Sequence, residues 1–110
     1  MTSDAVLDIF RSTRALLSGH FELRSGLHSD QFFQCALLLQ HPRLAEQLCA
    51  ALHRRIVAAG LPEPRTVISP AMGGLFVGHE LGRAYGVRHI FAEKQDDRLV
   101  LRRGLKIAPG

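Results

Sequence analysis

The sequence predicts an α/β domain, a parallel-sheet βαβ core preceded by an N-terminal helix and a small hairpin. Three observations carry that prediction. A β-branched run, Thr66-Val67-Ile68, leads through Ser69-Pro70 and a glycine pair into a helix-like segment, and a second apolar run, His89-Ile90-Phe91-Ala92, follows. Leu44, Leu48, Leu52 and Ile56 recur every four positions, the spacing of an amphipathic helix. Hydrophobic residues make up 46% of the 110 and charged residues 22%, which suits a globular chain and excludes a disordered or fibrous one. A chain of this length holds one domain with a modest core, burying roughly 65% of its unfolded surface.

The elements follow in order. Thr2 or Ser3 can cap a first helix, with Asp4 in the first turn where the helix dipole favours an anion; Val6, Leu7, Phe10 and Leu17 fall at helical spacing and Gly19 is the expected stop. Phe21 and Leu23 alternate with Glu22 and Arg24, and residues 28–35 read as a second extended segment, so the two pair around Ser25-Gly26-Leu27. Pro42 opens a helix over residues 42–59 that packs on the sheet, with Gly60 as its C′ residue and Pro62 forbidding continuation. Thr66–Ile68 is a strand, 73–85 a helix closed by Gly86, and His89–Ala92 a strand. Gln95-Asp96-Asp97 makes a turn and Leu99–Leu101 is extended.

Fourteen Lys and Arg against ten Asp and Glu give a net charge of +4. A basic surface favours phosphate-bearing ligands, though a solvated face explains scattered charges equally well. The cations occur at most in pairs, Arg54-Arg55 and Arg102-Arg103, and no nucleic-acid motif or aromatic-rich basic face accompanies them. Cys35 and Cys49 lack CxxC spacing and read as reduced thiols. The N-terminus is not a secretory signal and no stretch approaches about 20 apolar residues, so the expectation is a cytoplasmic protein with no membrane partner.

Three places could carry chemistry. In VISPAMGGLFVGHELG a strand runs into Gly73-Gly74 and then a helix; glycines there let backbone N–H groups approach an anion at a helix N-terminus, and a diphosphate is the natural guest. A tight strand-to-helix turn is the bland alternative. Phe32 and Phe33, adjacent in a strand, face opposite ways, so one ring can enter the core while the other stacks on a flat heterocycle, and Arg24 nearby could meet a carboxylate or phosphate. Two core rings and a surface charge are the alternatives. Lys94 sits at a strand's carboxyl end, on the side of the Gly-Gly loop, and Arg98, Arg102 and Arg103 follow it like a flap able to neutralise a polyphosphate; a plain hairpin with a solvated face competes with that reading. The six histidines show no HxxxH pair or His/Cys cluster, which predicts no metal-ligating residues.

Taken together, FELRSGLHSDQFFQC, VISPAMGGLFVGHELGR and IFAEK followed by LRRG-x-x-I-x-PG resemble the orotate phosphoribosyltransferases, a type I phosphoribosyltransferase family of pyrimidine biosynthesis. The resemblance covers essentially the whole chain. It implies transfer of ribose 5-phosphate from phosphoribosyl diphosphate to orotate, giving orotidine 5′-monophosphate and diphosphate, with Mg2+ bound alongside phosphoribosyl diphosphate. It also implies a homodimer. By that resemblance Phe32 and Phe33 hold orotate in a hood over the base, Arg24 lies near the ligands, and Met72, Gly73 and Gly74 belong to the diphosphate-contacting loop. Some members carry a Lys in that loop where this chain has Gly73, so only backbone contacts carry over. Lys94 resembles the Lys at the root of the catalytic loop, with Glu93 where many members have Arg; Arg102 and Arg103 are the candidates for the loop's cationic role.

The family's acidic pair after a hydrophobic strand, followed by a Thr/Gly-rich phosphate loop, does not occur in residues 1–110. The expectation is therefore an incomplete type I phosphoribosyltransferase fold, with residues 1–110 as the N-terminal part of a single domain, inactive as an isolated fragment. A non-catalytic nucleotide-binding or regulatory protein on the same scaffold is the alternative.

Overall fold

The structure is a computed structural model and describes residues 1–108; the closing Pro109-Gly110 of the LRRG-x-x-I-x-PG segment lie outside the described residues. In chain order the elements are α1 (Ser3–Ser12), β1 (Leu16–Glu22), β2 (His28–Phe33), α2 (Ala36–Leu39), α3 (Pro42–Ala58), β3 (Thr66–Pro70), α4 (Leu75–Tyr85), β4 (Arg88–Gln95) and β5 (Arg98–Val100). The chain divides into two compact units, Met1–Leu48 and a second from Cys49 onward, with the boundary inside α3.

In the first unit, Thr2 caps α1: its side-chain oxygen accepts from the Ala5 N–H at 3.1 Å. The helix ends at Ser12, earlier than Gly19, because Arg14 takes a left-handed conformation (φ 61°) and the Ala15 N–H bonds back to the Phe10 carbonyl at 2.8 Å. Leu17 therefore lies on β1, not on the helix. β1 and β2 pair antiparallel, as the alternation predicts, with Leu16 opposite Phe33 and Leu17 opposite Phe32. Gly26 (φ +85°) turns the chain between them, and the Leu23 N–H donates to the Leu27 carbonyl at 2.7 Å. The register shifts between Ser18 and Phe21, a bulge that sets two residues of β1 against one of β2. The single-turn α2 has no counterpart in the sequence reading; its Leu38 is only 1% exposed.

In the second unit, β3 and β4 run parallel, Thr66 opposite Arg88 through Pro70 opposite Ala92, with α4 as the crossover. β5 adds antiparallel to β4, giving the order β3-β4-β5. The predicted βαβ core is therefore present, and the sheet is mixed. Gly86 closes α4 in the left-handed conformation (φ 71°), its N–H bonding the Arg83 carbonyl. Val67, Ile90 and Ala92 are buried. Two contacts fix the C-terminal half of α3: the Cys49 thiol donates to the Val77 carbonyl at 3.8 Å, and the His53 ring stands edge-on to Tyr85 at 4.4 Å. Both partners are on α4, not the sheet. The buried positions of α3 are the small Ala45 and Cys49, while Leu52 of the predicted stripe is exposed. Small side chains let backbones approach closely, so the closest-packed edge of this helix is offset from its leucines.

Candidate functional site

The candidate residues fall on both units. On the hairpin, Phe32 and Phe33 face opposite ways, as adjacent strand residues must. Phe32 is half-buried with its ring tilted 30° on Phe21, centroids 5.5 Å apart. Phe33 meets Phe10 of α1 edge-on at 5.6 Å and is 50% exposed. Phe33 thus presents the more open ring to a planar guest. Arg24 is exposed and belongs to the turn after β1, not to the strand itself.

The same hairpin holds a pairing that linear spacing conceals. His20 and His28 meet across the strands, His20 Nε2 and His28 Nδ1 lying 2.7 Å apart. Eight residues of separation matches no ligand motif; only the fold-back at Gly26 together with the bulge brings the rings side by side.

On the second unit, β3 delivers the chain into residues 71–74 at its carboxyl end, ahead of α4. The Ala71 N–H donates to the Ala92 carbonyl at 2.8 Å and the Gly74 N–H to the Pro70 carbonyl at 2.9 Å. Among the described residues, the Met72 and Gly73 N–H groups have no backbone acceptor. Gly74 is the N-cap of α4 and supplies no side-chain cap. The Met72 and Gly73 groups both lie on the loop ahead of the N-cap, where free backbone N–H groups next to the positive end of α4 suit an anion. The two glycines differ. A Cβ on Gly74 would lie 2.8 Å from Pro70, whereas one on Gly73 would meet nothing within 4 Å. Gly74 is thus required by packing, and Gly73 faces open space beside a Met72 that is 81% exposed.

Lys94 lies near the end of β4, exposed, and pairs with no carboxylate among the described residues. Arg102 and Arg103 are tied back to the same strand. Arg103 forms a fork with Glu93, Nε and Nη2 donating to its two oxygens at 3.1 Å each, and Arg102 donates to Gln95 Oε1 at 2.6 Å. The hydrogen bonds from Arg103, ahead of its charge and that of Arg102, hold the Glu93 carboxyl below its usual range. The Glu93 departure seen in the sequence therefore has a structural consequence: it holds one of the two candidate flap cations.

Beneath α4, Ser69 Oγ and His89 Nε2 are 2.6 Å apart. Gly78 makes room for them, since a Cβ there would run into both atoms. Burial, with a smaller contribution from the nearby His79, pushes the His89 pKa down. This pair was also invisible in the sequence, because it joins residues twenty apart on neighbouring parallel strands. Among the described residues no group of three His, Cys, Asp or Glu is placed to hold a metal ion, and no helix is long and apolar enough to cross a membrane.

No family model matches the chain. It is 51% identical over 110 residues to the orotate phosphoribosyltransferase of Pelotomaculum thermopropionicum, covering all of this chain and 56% of the relative. With the orotate phosphoribosyltransferase of Chlorobium phaeobacteroides the figures are 52% identity and 55% of the relative. The chain thus spans little more than half the length of the curated relatives it matches, and corresponds to their N-terminal portion. Among solved structures, the orotate phosphoribosyltransferase of Aeropyrum pernix superposes with a TM-score of 0.61 at 20% identity, over 84% of this chain and 54% of that one. The UMP synthase of Leishmania donovani gives 0.71 at 15% identity, over 84% of this chain and 20% of that one. The fold is therefore α/β with parallel and antiparallel strands, matching part of the type I phosphoribosyltransferase structures.

Proposed function

We propose that this chain, as the N-terminal portion of an orotate phosphoribosyltransferase, supplies the base-holding and diphosphate-holding parts of that enzyme, which transfers ribose 5-phosphate from phosphoribosyl diphosphate to orotate in UMP biosynthesis. The observation that carries the reading is identity of about 50% along the whole chain to curated enzymes of that name. The physical logic agrees. Loss of diphosphate from ribose leaves an oxocarbenium-like centre, so catalysis needs cations and N–H donors on the leaving group, a fixed nucleophile and little water.

In this reading Phe33, with Phe32 behind it on the opposite strand face, holds the orotate ring by stacking, and Arg24 reaches the substrate's carboxylate or phosphate. The free N–H groups of Met72 and Gly73, with Gly74 at the start of α4, receive the diphosphate. Lys94, unpaired with any described carboxylate, is the cation nearest the end of β4, and Arg102 and Arg103 join it once released from Gln95 and Glu93. The described residues offer no cage for Mg2+, so no step here runs through that ion; it is expected only as a counter-ion carried by phosphoribosyl diphosphate. The protein is expected to act as a cytoplasmic homodimer.

The test joins these residues to the C-terminal portion of the Pelotomaculum thermopropionicum relative and assays orotidine 5′-monophosphate formation. Turnover that falls when Lys94 is changed to Ala supports the reading. Orotate binding without turnover in that chimera would favour a non-catalytic regulatory protein. The 110 residues alone are expected to give no turnover, because the acidic pair and Thr/Gly-rich loop expected to hold the ribose 5-phosphate do not occur among them.

A further inference from the structure

We propose that His20 and His28 form a two-imidazole chelate for a late first-row divalent cation, Zn2+, Ni2+ or Cu2+, on the hairpin. The bulge in β1 leaves Gly19 and His20 opposite Asp30 alone, since Ser18 pairs with Gln31 and Phe21 with Ser29. A bulge re-aims the side chains it carries, and here it turns His20 toward His28. The two rings are exposed, tilted 41° to each other with centroids 4.8 Å apart, and their nearest nitrogens are separated by 2.7 Å.

Imidazole nitrogens bind Zn2+ at about 2.0–2.1 Å, so two of them on one ion stand about 2.9 Å apart at right angles and about 3.4 Å apart in a tetrahedron. The observed gap is a few tenths of an ångström short of the first of these bites. At 2.7 Å the two nitrogens share a hydrogen bond; a bound cation would replace that proton, released to solvent, with both exposed rings turning their lone pairs toward a common point. Neutral imidazole suits Zn2+, Cu2+ and Ni2+, whereas Mg2+ prefers oxygen ligands. This site is therefore chemically distinct from the Mg2+ expected with phosphoribosyl diphosphate.

Glu22, opposite His28 in the ladder, and Asp30, opposite the bulge, add negative charge close by. Among the described residues no third side chain is placed to complete a cluster, so the remaining coordination positions belong to water. Such a site exchanges its ion readily, and an ion held there staples β1 to β2 across the bulge.

The test titrates ZnCl2, with MgCl2 as the control, into the 110-residue chain by isothermal calorimetry. One saturable Zn2+ site is expected, with no Mg2+ heat. His20→Asn and His28→Asn are each expected to weaken it at least about tenfold, as loss of one of two ligands to an imidazole-seeking ion implies, while the exposed His41→Asn leaves it unchanged. Because a hairpin variant can fail to fold, a second measurement uses the unaltered chain: electron paramagnetic resonance with one equivalent of Cu2+ is expected to show coupling to two nitrogens. No saturable Zn2+ site, Zn2+ affinity unchanged by the His20 and His28 substitutions, or coupling to one nitrogen or none would overturn the chelate.

Discussion

The side chains beneath α4 respond to acid in a defined direction. His89 is held below its usual pKa by burial, so the folded chain binds its proton less readily than the unfolded chain does. Below about pH 6.5, the unperturbed value, the unfolded state gains that proton first, and the His89 contribution to stability falls as the pH drops. Urea unfolding at pH 7.5 and pH 5.5 is expected to show lower stability at the acid end, and a His89→Gln variant is expected to lose part of that dependence. The same packing makes Gly78→Ala destabilising. Its Cβ would displace the Ser69–His89 pair, and overpacking of this kind costs about 1–3 kcal/mol, which outweighs the roughly 1 kcal/mol that Ala gains over Gly inside a helix. Thermal melts of the two proteins check this. On the hairpin, Phe33→Ala is expected to weaken orotate binding by about 1–3 kcal/mol, the usual worth of stacking a base on an aromatic ring, in the chimera described above. Loss of activity there with orotate affinity unchanged would remove the stacking role.

At the scale of the element, two parts behave differently from a rigid scaffold. The β4–β5 hairpin holds Arg103 on Glu93. Exposed ion pairs contribute little to stability, so Glu93→Gln is expected to leave the melting temperature where it is while freeing Arg103; the chimera should then bind diphosphate severalfold more tightly by calorimetry. Unchanged diphosphate affinity would show that Arg103 does not meet the leaving group. The loop 71–74 separates two roles, since Gly73→Ala is expected to fold normally and lose diphosphate affinity, whereas Gly74→Ala, forced against Pro70, is expected to lower stability first. Elements of this kind show what the sequence could reveal. β-branching with flanking glycines and prolines identified β3, α4 and β4, and the leucine period identified α3 as a helix although its buried edge runs along Ala45 and Cys49. The end of α1 was missed because Leu17 fits a helical and a strand face equally, and the left-handed turn at Arg14 carries no glycine to announce it. The single turn of α2 is too short to show a period. The glycine loop and the two phenylalanines stood out as candidates because the features that mark them are local in sequence. The His20–His28 and Ser69–His89 pairs were not, since each exists only through strand register.

For the molecule as a whole, the order β3-β4-β5 places β3 at the end of its sheet among the described residues, with Ile68 half exposed upon it. A strand end-on in this way keeps one row of N–H and C=O groups ready for another backbone. Self-association that rises with concentration is expected for the 110-residue chain, and Ile68→Lys is expected to reduce it in light scattering, because an edge charge opposes strand addition. The feature has a practical side in the cell. An open strand edge with an apolar residue beside it pairs with whatever extended backbone reaches it, a second copy of this chain included. Yield on expression would then depend on protein concentration as well as on intrinsic stability.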